Sequence, residues 1–257
     1  MCRSAVASSS GGAAGFRRAA GRDRLRCSRG RQVALPVVLA AGLAAGVYGL
    51  AVRPWHLRWG ATDAELARSM PGDDLVDRPQ LDATRAITID APPHEVWPWL
   101  VQMGGYTRAG WYSYDRIDNA GRPSAWRIHP ELQHLEVGDI LPTDPNGRGF
   151  EVRAINPEQS LVLGIDAPDR ALISTAITLQ PQPGGRTRLV IRLRQRAPSW
   201  RGWPFLAAMD IGDFVMMRRT LLGLRARAEH THRHPLPSTA PTRDPGVLPA
   251  RAGSATG

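Results

Sequence analysis

The stretch RAITIDAPPHEVWPWLVQMG, residues 85–104, changes from a strand pattern to a helix pattern within a few residues. Ile87 and Ile89 alternate with polar residues, which predicts a half-buried strand. An aspartate and two prolines follow, and this combination is typical of a helix start. Pro98 would break or kink the helical stretch, so we expect two short helices that end near residues 103–105.

Downstream, the sequence predicts a meander of antiparallel strands. Turn signals rich in Pro, Gly and Asn separate five strand-like segments, at residues 137–142, 149–155, 160–165, 171–180 and 186–196. In the last segment, apolar residues alternate with Arg188, Arg192 and Arg194. This alternation predicts an apolar inner face and a solvated outer face of the sheet.

A long helix follows the strands, over residues 204–229. Its apolar residues cover more than a narrow stripe, and they include Met209, Met216 and Met217. A helix of this composition buries several of its faces, so we expect the sheet to contact it along its length.

The order of a strand, two short helices, several antiparallel strands and a long C-terminal helix resembles the helix-grip fold of the SRPBCC superfamily, which includes START and polyketide cyclase-like domains. Residues 85–104 carry the resemblance together with four other stretches: GWYSYD (110–115), LEVGDILP (135–142), FEVRAINPEQSLVLG (150–164) and DFVMMRRTLLGLRARAE (213–229). They are similar to an uncharacterised bacterial subgroup that often has an N-terminal membrane segment. The resemblance implies an α+β domain whose curved antiparallel sheet wraps the long helix and leaves a cavity for a hydrophobic small molecule or lipid.

The net charge of +10 is concentrated at the ends of the chain. Residues 1–31 hold eight arginines and one aspartate, and residues 230–257 hold three arginines and one aspartate, whereas the remaining 22 arginines nearly balance 21 acidic residues. A nucleic-acid groove would need that excess on the folded domain, so we expect no nucleic-acid binding. The two cysteines, Cys2 and Cys27, precede the domain, which excludes a disulfide or a cysteine metal site within it.

Residues 33–52 form an uncharged run of twenty residues, long enough as a helix to span about 30 Å of bilayer hydrocarbon. A cleaved signal peptide is the alternative. The run, however, exceeds the roughly 7 to 15 residues of a signal core, and Trp55 and Trp59 follow it as interfacial residues would. Arginines are more numerous before the run than after it, which predicts a cytoplasmic N-terminus and a domain outside the cell membrane.

The sequence therefore predicts five regions: a basic disordered tail (1–32), a transmembrane helix (33–52), a juxtamembrane adaptor (53–82), the helix-grip domain (83–229) and a disordered C-terminal tail (230–257). Within the adaptor, Thr62 and Glu65 have the spacing of a capping box and predict a short helix. His230, His232 and His234 could hold a metal ion loosely. Because no second ligand cluster with metal-site spacing is present in the sequence, we expect no metal site.

The candidate ligand-binding residues form two groups. One group lies before the strands and comprises Trp97, Trp111, Tyr112, Tyr114 and Asp115, and the other lies on the long helix and comprises Met209, Asp213, Met216 and Met217. Aromatic rings supply apolar contact area, tyrosine hydroxyls can orient a polar group, and methionine adapts to varied apolar shapes.

Structural alternatives exist for each group. The methionines can fill the core. Asp210 and Asp213 can stabilise the dipole of the helix, whereas an Asp213 that points into the cavity would have a pKa raised by burial. Asp115 can form an ordinary surface ion pair with Arg116.

The sequence shows no nucleophile with an adjacent base, no carboxylate pair at a defined spacing and no metal motif. We therefore expect a membrane-anchored protein that binds a hydrophobic or lipid-like molecule without a cofactor. The resemblance also allows a cyclase, aromatase or dehydratase, in which Tyr112, Tyr114, Asp115 and Asp213 are the first residues to substitute. A third hypothesis is an envelope module that binds another protein.

Overall fold

The computed structural model describes residues 36–167 and 171–234. Contacts within the chain divide it after Trp55, and the parts on either side of that point are described separately. The predicted N-terminal tail, residues 1–32, and most of the predicted C-terminal tail lie outside the described residues.

One apolar helix, α1 (Pro36–Leu57), is long and apolar enough to cross a membrane. It has 22 residues, and its most apolar window has a mean hydropathy of 1.6 with no buried residue. The helix overlaps the predicted transmembrane segment, residues 33–52, of which the first three residues lie outside the described part. A signal sequence can share this length and composition, so α1 is a candidate membrane span.

The part of the chain after Trp55 is built on a six-stranded antiparallel sheet. Its strands in chain order are β1 (Leu81–Ile89), β2 (Ile140–Pro142), β3 (Gly149–Asn156), β4 (Ser160–Ala167), β5 (Ala171–Gln182) and β6 (Arg186–Arg196). They lie in the order β1-β6-β5-β4-β3-β2. Strands β2 to β6 thus form the predicted meander, and β1 pairs with β6 at one edge of an open sheet.

Four further helices are α2 (Asp63–Ala67), α3 (Pro93–Val101), α4 (Asp115–Asp118) and α5 (Trp203–Arg233). The predicted capping box at the start of α2 is confirmed. The Glu65 amide donates to Thr62 Oγ1 over 3.3 Å, and the Thr62 amide donates to the Glu65 carboxylate over 2.7 Å. Helix α5 continues to Arg233, four residues beyond its predicted end.

The expected break at Pro98 is absent, and α3 runs through this residue as one helix. Proline at this position removes the hydrogen bond that would end on the carbonyl of His94. His94 is exposed, so water can satisfy its carbonyl. The second short helix of the domain is α4, which lies beyond Gly105 rather than before it.

The inner face of the sheet, defined here as the face toward α5, packs against α3 and the C-terminal half of α5. Trp99 and Leu100 from α3 join Leu221 and Leu224 from α5 in one buried cluster with apolar residues of all six strands. The C-terminal half of α5 is therefore fixed against the sheet.

The outer face of the sheet is covered by the adaptor. The prediction of a solvated outer face at Arg188, Arg192 and Arg194 is wrong, because these side chains bind residues between 60 and 73 of the adaptor. Arg192 is buried and donates hydrogen bonds to the carbonyl oxygens of Glu65, Leu66 and Arg68, to the Asp73 carboxylate and to Thr84 Oγ1. Arginine stems pack on apolar surface while guanidinium groups bind carbonyl oxygens, so an arginine-rich strand face can be buried.

Candidate functional site

A cavity of about 550 Å³ lies between the inner face of the sheet and the N-terminal half of α5. The sheet contributes Phe150, Leu163, Ile173, Thr175, Ile177, Ile191, Leu193 and Gln195. Helix α5 contributes Met209, Gly212, Asp213, Val215, Met216, Met217 and Thr220. Helix α4 contributes Ile117 and Asp118, and the segments between helices and strands contribute Met103, Trp111 and Thr143. The surface of the lining is mostly apolar. Alternate residues of β5 and β6 face inward with the period of a strand, and most of these are isoleucine or leucine.

The mouth of the cavity lies near α4 and the middle of α5. Ile117 is 70 % exposed and Val215 is also exposed, although both contribute to the lining. Trp111 is oriented by a hydrogen bond of 3.1 Å from its Nε1 to the carbonyl oxygen of Pro142, and its ring meets Phe150 edge to face. A rigid aromatic wall thus stands beside the opening.

Five of the nine predicted ligand-binding residues line this cavity, namely Trp111, Met209, Asp213, Met216 and Met217. The other four, Trp97, Tyr112, Tyr114 and Asp115, lie outside the lining. No ligand is present to show binding by any of them, so their roles stay predictions.

Tyr112 is buried in the core, where it joins the loop to two helices. Its hydroxyl donates to the carbonyl oxygen of Trp99 and accepts a hydrogen bond from Gln102 Nε2, both over 3.0 Å. The guanidinium of Arg227 lies 4.5 Å above the Tyr112 ring and 4.3 Å from the ring of Trp126. Burial raises the pKa of the Tyr112 hydroxyl, so it remains protonated.

The remaining three predicted residues have different surroundings. Asp115 accepts hydrogen bonds from the amide and the hydroxyl of Ser124, at 3.1 and 2.5 Å, and so stabilises the loop. Tyr114 is exposed, and Trp97 is half-buried against the core cluster.

Asp213 forms a buried ion pair with Arg85, a residue that the sequence analysis did not single out. Arg85 Nη1 donates to the Asp213 carboxylate over 2.5 Å, and Arg85 Nε donates to the carbonyl oxygen of His56 over 3.0 Å. Burial raises the pKa of Asp213, and the adjacent guanidinium opposes that rise. Arg85 shares its strand face with Ile87 and Ile89, and a cation on a predicted buried face was the available signal.

Asp118 is the second carboxylate of the cavity and was also missed. Neither of its carboxylate oxygens has a hydrogen-bond partner among the described residues. Burial, and secondly the charge of Asp115, raise the pKa of Asp118 to about 6. A carboxyl group with such a pKa can exist in either protonation state near neutral pH.

Thr175 and Gln195 are two further polar residues of the lining that sequence reasoning missed. Thr175 Oγ1 and both amide atoms of Gln195 are buried without a hydrogen-bond partner in the described part of the chain. Gln195 follows Ile191 and Leu193 at the same two-residue interval, so its inward position was readable from the strand pattern. The strand pattern does not show, however, that the Gln195 side chain has no hydrogen-bond partner.

Across residues 36–167 and 171–234, no group of three or more His, Cys, Asp or Glu side chains is placed to hold a metal ion. His230 instead stacks near His234, with ring centroids 4.8 Å apart, and His232 contacts Glu95 over 2.8 Å.

No family model and no curated protein matches the chain. Among solved structures, hypothetical protein jhp0584 from Helicobacter pylori is 12 % identical and covers 63 % of this chain and 96 % of its own, with a TM-score of 0.42. Protein MLL2253 from Mesorhizobium loti is 18 % identical and covers 58 % of this chain and 98 % of its own, with a TM-score of 0.34. The di-domain ARO/CYC BexL from the BE-7585A biosynthetic pathway is 17 % identical and covers 59 % of this chain and 47 % of its own, with a TM-score of 0.36. Similarities this distant do not assign a family or an activity.

Proposed function

We propose that the protein is a helix-grip domain of the SRPBCC type that binds a largely apolar small molecule. The observation that carries this proposal is the apolar cavity of about 550 Å³ beside α5. Pockets of roughly 300 to 1,000 Å³ with apolar walls and a few polar groups are typical of small-molecule sites. The open cavity gives no support to the hypothesis of an envelope module that binds only another protein.

The composition of α5 supports an adaptable wall. Three methionines, Met209, Met216 and Met217, contribute unbranched and polarisable side chains to the lining. Gly212 lies between them in the lining and is itself exposed, and a Cβ built there meets no atom within 4 Å beyond the adjacent helix backbone. The N-terminal half of α5 thus borders an open cavity, whereas its C-terminal half packs directly against the sheet.

A second candidate function is a cyclase, aromatase or dehydratase. The observation that favours it is Asp118, a residue of the lining whose carboxyl group has a pKa raised to about 6 and can donate or accept a proton. Incubation with polyketide-like substrates tests this function. Product formation that Asp118→Asn abolishes would support it, whereas turnover equal in both proteins would remove Asp118 from the mechanism.

We also propose that α1 anchors the protein in the cell membrane, with the N-terminus cytoplasmic and the domain outside. The length and apolar composition of the helix support this placement. Retention of the full chain in the membrane pellet after alkaline extraction, together with protease access to the domain in intact spheroplasts, is the expected result. A mature chain that begins after α1 would show that the segment is a cleaved signal.

Filling the cavity tests the binding function. Gly212→Phe adds a large side chain at an exposed position of the cavity lining, whereas Ile211→Phe adds the same side chain at a neighbouring position that is 52 % exposed and outside the lining. The full chain is reconstituted in lipid nanodiscs and titrated calorimetrically with decanol, decanoate and decylamine, and partition into empty nanodiscs is subtracted.

We expect the wild type and Ile211→Phe to bind at least one amphiphile with equal affinity. Gly212→Phe should bind it at least about tenfold more weakly, because displaced apolar contacts are worth more than about 1.4 kcal/mol. Binding that is absent in the wild type, or equal in the wild type and both variants, would contradict the function.

A further inference from the structure

We propose that Gln195 and Thr175 form a recognition site for an uncharged hydroxyl group, so that the ligand is a neutral and mostly apolar alcohol. This inference rests on the proposed binding function and adds the polar group of the ligand to it.

The register of the sheet places the two side chains together. Gln195 on β6 pairs with Ile173 on β5, and Thr175 pairs with Leu193. Gln195 and Thr175 are therefore diagonal neighbours on the inner face, where Cα atoms are typically about 7 to 8 Å apart. A single ligand group above this face can reach both side chains.

The polar atoms of this pair are buried without partners. Gln195 is 1 % exposed and Thr175 is 4 % exposed. Gln195 Oε1 and Nε2 and Thr175 Oγ1 make no hydrogen bond to any described residue. Buried polar groups are otherwise almost always paired, so these three atoms have unused hydrogen-bonding capacity next to the cavity that their residues line.

A hydroxyl group matches this set of atoms. It can donate one hydrogen bond to Gln195 Oε1 while it accepts another from Gln195 Nε2 or Thr175 Oγ1. A carboxylate can only accept and an ammonium can only donate, so each would leave part of the pair unsatisfied.

The charges of the lining also favour a neutral ligand. Among the described residues that line the cavity, none is basic, and Asp118 and Asp213 are its only ionisable carboxyl groups. The cation nearest to Asp213 is Arg85, which is already paired with it. Arg85 Nη2 has no hydrogen-bond partner among the described residues, but Arg85 is not part of the lining. A carboxylate head group in the cavity would therefore be desolvated without a cation in the lining itself.

Asp118 is the unpaired carboxyl group of the lining that would attract a cationic ligand, and it lies near the other edge of the sheet. A Cβ built at Gly105 would lie 2.8 Å from the carbonyl oxygen of Asp118 and 3.1 Å from that of Pro142, which places Asp118 beside β2. Strand β6, which carries Gln195, pairs with β1 near the opposite edge. Binding of an amine at Asp118 is thus separable by mutation from binding of an alcohol at Gln195.

The test compares decanol, decanoate and decylamine on the full chain in nanodiscs. The wild type should bind decanol most tightly. Gln195→Leu and Thr175→Val should each weaken decanol binding about five- to tenfold, the effect of one lost hydrogen bond, and should leave the weaker affinities for the charged amphiphiles unchanged. Thr175→Ser keeps the hydroxyl and should retain decanol affinity within about twofold.

Thr178→Val is the matched control. Thr178 lies on the same strand and its Oγ1 is also unpartnered, but it faces the other side of the sheet and is outside the cavity lining. Its substitution should leave decanol affinity unchanged.

Three results would overturn the inference: decanoate or decylamine binding as tightly as decanol, decanol affinity unaffected by both Gln195→Leu and Thr175→Val, or an equal loss in Thr178→Val. In each case a loss of all binding in Gly212→Phe would still support the cavity as the binding site. Binding that Gly212→Phe does not change would instead reject the proposed function itself.

Discussion

Gly212 and Gly223 lie on the same helix and have opposite surroundings. A Cβ at Gly223 would lie 2.2 Å from the carbonyl oxygen of Tyr112, whereas one at Gly212 would meet no atom within 4 Å. Gly223 therefore permits the loop that contains Tyr112 to approach α5, and Gly212 leaves part of the cavity empty. Glycine thus permits close packing at position 223 and leaves open space at position 212.

Alanine at these two glycines should change stability in opposite directions. We expect Gly223→Ala to lower the free energy of unfolding by roughly 1 to 3 kcal/mol, because the backbone of the loop must move away from α5. Gly212→Ala should raise it by up to about 1 kcal/mol through helix propensity. Urea unfolding measures both, and an equal effect of the two substitutions would contradict the close approach of Tyr112 to α5.

Asp118 should make stability depend on pH. Its pKa is raised from 3.8 to about 6 in the folded state, so the folded protein holds a proton that the unfolded chain releases. Stability attributable to this group therefore falls as pH rises from about 4 to about 6 and stays low above that range. Asp118→Asn cannot ionise, and its melting temperature should exceed that of the wild type by more at about pH 7.5 than at about pH 4.

The exposed residue Asp166 provides the control for the change in net charge. Melting curves of Asp166→Asn at the same two pH values should show no comparable difference. A melting-temperature gain in Asp118→Asn that is the same at both pH values would show that its carboxyl group is not desolvated.

At the level of single residues, the sequence predicts which face of the sheet a residue lies on better than it predicts the hydrogen-bond or ion-pair partner of that residue. Strand periodicity places Arg85, Thr175 and Gln195 on the inner face, because residues of one parity share a face. It does not show that Asp213 neutralises Arg85 from a helix 128 residues away, or that Gln195 has no partner. Those facts depend on how distant segments pack, and single-sequence periodicity carries no such information.

The adaptor and strand β6 form the most extensive polar contact between elements. Arg192 binds three adaptor carbonyl oxygens and the Asp73 carboxylate. Arg188 binds the Glu65 carboxylate over 2.7 and 2.9 Å, and this contact lowers the pKa of Glu65 to about 2. The adaptor is thus an integral layer over the outer face of the sheet.

Removing the Arg192 guanidinium should release the adaptor. We expect Arg192→Met to lower the free energy of unfolding by roughly 3 to 5 kcal/mol, because it removes the nearest cation from the Asp73 carboxylate and leaves several buried carbonyl oxygens unpaired. Limited proteolysis should cleave the variant faster near Arg68. Arg153→Met is the control, since Arg153 and its partner Glu151 are more than a third exposed and should cost less than about 1 kcal/mol. Equal stability losses would argue against a fixed adaptor.

At the level of elements, most strand boundaries were predictable from the sequence. Which segment covers each face of the sheet was not. Strands β3 to β6 begin within a residue of the predicted positions, because turn signals bracket a clear alternation. The alternation on β6 predicted a solvated arginine face, yet the adaptor covers it. Arginine stems suit both water and apolar surface, so an arginine-rich face does not by itself indicate exposure.

At the scale of the whole molecule, the α+β architecture of an antiparallel sheet and a long C-terminal helix was predictable from the order of elements. The resemblance also implied a cavity, but its volume could not be predicted, because it depends on how far the side chains of α5 fill the space above β5 and β6. Gly212 and the three methionines together determine how much of this space is filled, and the sequence alone does not give the remaining volume. The membrane location of α1 remains a proposal at this same scale.

The central claim is that apolar ligands bind between α5 and the sheet, and photolabelling of the full chain in nanodiscs tests it most directly. A decanol that carries a diazirine is photolysed on the protein, and the labelled residues are identified by mass spectrometry. The account predicts labels between Met209 and Met217 and on the facing residues of β5 and β6, with competition by unlabelled decanol and loss of these labels in Gly212→Phe. Labels confined to α1 and unchanged by Gly212→Phe would contradict it.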